Sequence, residues 1–119
     1  MTKPEAEEII EAAIAGLPAV FRNKMDNLVI IAQARPNPAQ LRRYGKNLLG
    51  LYEGVPLSKR GTYYSGVMPD KITIFYRNIA DYCKSTGIAP ETAVAHPVRH
   101  EIAHHFGIDD VRLRATGNY

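Results

Sequence analysis

All four histidines of this 119-residue chain, His96, His100, His104 and His105, fall within ten consecutive positions. No other feature restricts the fold as tightly, because the stretch around them carries helix signals at both ends. Pro90 suits a first helical turn, and Gly107 suits a left-handed C-terminal cap. The spacing therefore predicts a helix over 91–106. On such a helix His100 and His104 lie about 40° apart with roughly 6 Å of rise between them, so both imidazoles share one face. Pro97 lies inside the stretch. It removes one backbone donor, and is expected either to kink the helix or to mark the start of a shorter one.

Two imidazoles in that geometry can reach a single metal ion. Glu101 flanks the same face, and a carboxylate there can take a proton from a water that the ion activates. His100 and His104 are thus the candidate metal ligands, Glu101 the candidate general base, and Zn2+ the expected ion. The same donor set also suits iron. A catalytic zinc site needs a third protein ligand. Gly107 and Ile108 cannot provide one, but a left-handed turn at Gly107 would swing Asp110 back toward the two histidines. Asp110 is the candidate third ligand, with a helix N-cap as its competing role. Asp109 is the rival on both counts. His105 and His96 read as neighbours of the site rather than ligands. An oxyanion-stabilising group is also required for acyl chemistry, and Tyr52, Tyr63, Tyr64 and Tyr119 are candidates that the sequence does not separate.

The rest of the chain supplies helices and a few strands. Pro4–Ala15 has apolar residues at helical spacing, with Thr2 as N-cap and Gly16 at the end. A short helical stretch follows from Pro18. The run Leu28–Ala34 reads as a buried strand stopped by Arg35-Pro36-Asn37-Pro38. Ala39–Tyr44 forms one or two helical turns before Gly45. Within the glycine-rich region 47–68, strands are expected at Leu48–Tyr52 and Thr62–Ser65 in an otherwise long loop. Lys71–Tyr76 alternates as a strand with one strongly apolar face. Arg77–Ser85 reads as a helix closed by Gly87, with Ile79, Tyr82 and Cys83 inward, and Asp109–Leu113 as a short turn. The fold class is α+β, a small twisted sheet packed against helices, with the metal-binding helix near the C-terminus. Residues 1–119 are expected to form one domain.

Bulk properties exclude several functions. The formal net charge of +3 is mild, and the basic residues are scattered without interleaved aromatics, so no nucleic-acid partner is expected. The longest apolar run, Leu28–Ala32, is too short to cross a bilayer. The start of the chain carries no secretory pattern, and Cys83 is the lone cysteine. Together these point to a cytoplasmic protein.

The unit His100-Glu101-x-x-His104-x-x-Gly107-x-x-Asp110 resembles the zincin metallopeptidases, and its extended spacing is similar to the metzincin pattern with aspartate as the last ligand. More narrowly, 98–110 (VRHEIAHHFGIDD), 49–57 (LGLYEGVPL) and 69–76 (PDKITIFY) resemble a family of small bacterial proteins called minimal zincins. The resemblance covers nearly the whole length. It implies a compact α+β core with zinc held by His100, His104 and Asp110, Glu101 as base, and a peptide or protein substrate added as a strand along a sheet edge, for which Lys71–Tyr76 is the candidate, with an ordinary interior strand as its equal alternative. Twelve residues after Gly107 leave no room for a metzincin methionine turn, and no second subdomain forms a far cleft wall. The alternative is therefore a non-enzymatic zinc-stabilised domain that binds a protein partner.

Overall fold

The computed structural model describes residues 1–22, 28–54 and 70–105. In chain order these form α1 (Lys3–Ala15), α2 (Ala19–Arg22), β1 (Leu28–Gln33), α3 (Pro38–Tyr44), β2 (Gly50–Glu53), β3 (Asp70–Phe75), α4 (Tyr76–Thr86) and α5 (Pro90–His105). The architecture is α+β, as the sequence implies. The expected strand at Thr62–Ser65, the cap at Gly107, the turn at Asp109–Leu113 and the candidate ligand Asp110 lie outside the described residues.

Local chemistry accounts for the element ends. Thr2 caps α1 by accepting from the Glu5 amide. Asn37 and Gln40 form a reciprocal capping box at the start of α3, which satisfies two amides that the first turn cannot bond. Gly87 ends α4 with φ 76°, a left-handed conformation that costs glycine no Cβ clash.

The three strands make one mixed sheet in the order β1-β3-β2. β1 runs parallel to β3 with Leu28 opposite Asp70. β2 runs antiparallel to β3 with Gly50 opposite Ile74 and Tyr52 opposite Ile72. This corrects two expectations for Lys71–Tyr76. β3 is the central strand, so its backbone is engaged on both sides, and it is not the edge that could accept an added strand. It is also not one-sided: Thr73 and Phe75 are as fully buried as Ile72 and Ile74, and a strand covered on both faces loses the polar alternation of a half-exposed one. Among the described residues, the edges are β1 and β2.

The core lies between the sheet and α5. Val94, Val98 and Ile102, spaced four apart, pack with Ile72, Ile74 and Ile79 and with Ala6 and Ile10 of α1. α5 touches α1, α4, β2 and β3, so its orientation is set from several sides. It continues through Pro97, which is buried. Among the described residues no helix is long and apolar enough to cross a membrane.

Candidate metal centre

The site begins with β2, whose alternate residues Gly50 and Tyr52 point to one side of the strand, with Gly54 just beyond its end. That side faces α5. A methyl group at Gly50 would meet Pro97 Cβ at 3.2 Å and Glu101 Cγ at 3.5 Å on α5, and Ile74 Cδ1 at 3.4 Å. Gly50 therefore allows close approach of the helix to the sheet, and it does so beside Glu101. Two residues further along β2, the ring of Tyr52 meets that of His104 edge-to-face, with centroids 6.5 Å apart and planes at 68°.

His100, Glu101 and His104 converge on the helix. One ligand atom from each lies within 4.8 Å of the others. The two imidazoles meet edge-to-face at 4.5 Å and 67°, and His104 Nδ1 is 3.3 Å from Glu101 Oε1. The histidines are half-buried, whereas Glu101 is only 7% exposed. Its Oε2 is shut away from solvent and finds no hydrogen-bond partner among the described residues. An ionised oxygen in that position is costly unless a proton, a donor or an ion satisfies it. Two imidazole nitrogens are donors that zinc prefers, and the Glu101 carboxylate lies beside them. His100 and His104 therefore fit a zinc ion, with Glu101 placed next to it.

The candidates separate as follows. His100, Glu101 and His104 are brought together, and Asp110 is outside the described residues. His105 is the last residue of α5. His96, one turn before His100, is exposed. Of the tyrosines, Tyr63, Tyr64 and Tyr119 are not among the described residues, and Tyr52 reaches the centre with its ring. Its hydroxyl donates to Asp70 Oδ2 at 2.6 Å. Asp70 itself is only 1% exposed and is not among the residues the sequence singles out. The signal that points to it is the Gly-x-Tyr-x-Gly spacing of 50–54, which marks a face built for close approach.

A second concavity of about 710 Å³ lies against α3 and α4, lined in part by Arg35, Lys46, Asn78 and Asp81. It holds none of the candidate ligands. Arg35 Nη1 there donates to Asn78 Oδ1 and Asp81 Oδ2, both at 2.9 Å, so its polar groups answer one another.

No curated protein matches the chain. Residues 25–118 match the zincin-like metallopeptidase family, a span that includes β1–β3, α4 and α5. The chain belongs to that family.

Proposed function

We infer that this member of the zincin-like metallopeptidase family is a zinc-dependent peptide hydrolase with Glu101 as its general base. The observation that carries the reading is the convergence of His100, Glu101 and His104 within 4.8 Å, with one buried carboxylate oxygen that has no hydrogen-bond partner among the described residues. His100 and His104 hold the ion from consecutive turns of α5, and Asp110 is the proposed third protein ligand. When bound, zinc polarises the scissile carbonyl and lowers the pKa of water in its coordination sphere. Glu101 takes the proton of the attacking water and delivers it to the leaving amine nitrogen. Burial of Glu101 keeps bulk water from competing for that proton.

The substrate is proposed to be an extended peptide. Among the described residues β2 is the sheet edge nearest α5, and an added strand is proposed to lie along it. A peptide paired there would run beside Gly50 and Tyr52, on the strand whose inward face meets Glu101 and His104.

Metal analysis tests the first half of the reading. Purified protein should carry about one zinc per chain, and His100→Ala or His104→Ala should carry none. A wild-type protein that takes up no zinc under replete conditions would refute it. Unstructured peptides test the second half. Glu101→Gln should retain zinc and lose peptide hydrolysis by about 10²–10⁴-fold. Zinc-loaded wild type no more active than Glu101→Gln would instead support a zinc-stabilised binding domain.

A further inference from the structure

The geometry points to Tyr52 and Asp70 as positioning residues that set the imidazole of His104 for the metal. This rests on the reading of His100 and His104 as zinc ligands.

His104 is constrained on several sides. The ring of His100 meets it at 67° and that of Tyr52 at 68°, while Glu101 Oε1 is 3.3 Å from its Nδ1. His100 and Glu101 belong to the same helix and move with it. Tyr52 comes from a different element, so it alone of the three ties the ring to the sheet. A half-buried imidazole can rotate about two side-chain bonds, and metal binding must halt that rotation. A wall already in place lowers the cost of ordering the ring.

The wall must itself be fixed, and β2 is a short edge strand of four residues. Asp70 provides the anchor. It opens β3, and its side chain shares a sheet face with Ile72, the register partner of Tyr52, so Tyr52 and Asp70 are diagonal neighbours across the two strands. The 2.6 Å contact from Tyr52 Oη to Asp70 Oδ2 has the length of a strong hydrogen bond to a carboxylate. Gly54 closes over the same carboxylate. A Cβ there would clash with Asp70 Oδ1, and Gly54 has φ 155°, a conformation that other residues rarely adopt. The chain is thus shaped to bring the end of β2 down onto the buried Asp70 carboxyl group, and the phenol so held presents its ring to His104. Asp70 acts on Tyr52, and Tyr52 acts on the ligand.

A purely structural clamp between β2 and β3 would have the same hydrogen bond but a different signature. It would stabilise the metal-free and zinc-bound proteins equally. The test compares wild type with Tyr52→Phe, Asp70→Asn and the double variant. Zinc affinity is read by chelator competition, folding by thermal melting with and without zinc, and ligand geometry by the visible spectrum of the cobalt-substituted protein. Tyr52→Phe keeps the ring and removes only its tether. It is expected to weaken zinc binding about tenfold, at the lower end of the range for groups that orient metal ligands, and to alter the cobalt spectrum. The double variant should bind no more weakly than the weaker single one, because both changes cut one path. Unchanged zinc affinity and cobalt spectrum in Tyr52→Phe would overturn the inference, as would independent effects that multiply in the double variant. If Asp70→Asn does not fold, Tyr52→Phe alone still decides. A wild-type protein that binds no zinc removes the underlying metal reading instead, which separates the two failures.

Discussion

Asn78 on α4 and Glu101 on α5 are equally buried, each 7% exposed, yet their surroundings differ in kind. Asn78 uses its whole amide. Its Nδ2 donates to the carbonyls of Lys46 at 2.9 Å and Leu48 at 2.8 Å, and its Oδ1 accepts from Arg35. It staples the segment before β2 to the start of α4. Glu101 has one oxygen near His104 and the other without a hydrogen-bond partner among the described residues. Burial alone therefore does not mark a functional residue. A buried polar group with every valence met holds structure together, while one left wanting is poised to receive a proton or an ion.

Substitutions that remove each group should break or sharpen that contrast. Asn78→Ala is expected to have the largest effect on folding, about 1–3 kcal/mol in urea unfolding, because it strands the Lys46 and Leu48 carbonyls and removes an acceptor of Arg35 together. Zinc stoichiometry should be unaffected. The Arg35–Asp81 ion pair beside it is mostly exposed and should contribute under about 1 kcal/mol. Gly50→Ala comes next, at about 1 kcal/mol, since a Cβ placed 3.2 Å from Pro97 forces the helix and β2 apart by a few tenths of an ångström. Glu101→Gln should change the stability of the metal-free protein by less than about 0.5 kcal/mol, or raise it, since function rather than folding retains the carboxylate. If Glu101→Gln cost as much as Asn78→Ala, the distinction between the two clusters would fail.

The extent to which these clusters can be read from sequence follows the same division. The convergence of His100, Glu101 and His104 is legible because the three lie within one helix, where a fixed 3.6-residue period converts spacing into geometry. The start of α1 and the end of α4 are legible for a related reason: Thr2 and Gly87 act within a few residues of themselves. The Asn78 staple reaches back 30 residues to Leu48, and Asp70 reaches 18 residues back to Tyr52. Contacts of that range depend on strand order. Alternation of Lys71–Tyr76 correctly suggested a strand, but an apolar face cannot say whether the strand is central or at an edge. Its position was settled by β1 and β2 flanking it. Gly50 falls in the strand expected at Leu48–Tyr52 and Gly54 in the loop expected after it, although their two-residue spacing around Tyr52 carries the packing information.

The smallest expected effect concerns Cys83, which shares α4 with Asn78 and belongs to neither cluster. Its half-buried side chain packs against the core. Burial first, and the negative charge of Glu91 on α5 second, push its thiol above the ordinary value. Because the thiolate is the reactive form, alkylation by iodoacetamide at pH 8 should be slower than for free cysteine. The sign of the linkage is fixed by the same shift. The native state keeps its proton to higher pH than the unfolded chain, so the contribution of Cys83 to stability is present below the ordinary thiol pKa and is lost as pH rises through the native value. Glu91→Gln removes only the lesser of the two causes. It should therefore quicken alkylation modestly at fixed pH and leave it slower than for free cysteine. Alkylation of the wild type at the free-cysteine rate would show that α4 and α5 do not enclose the thiol. The packing that orients α5, and with it Glu101, would then need to come from α1 and the sheet alone.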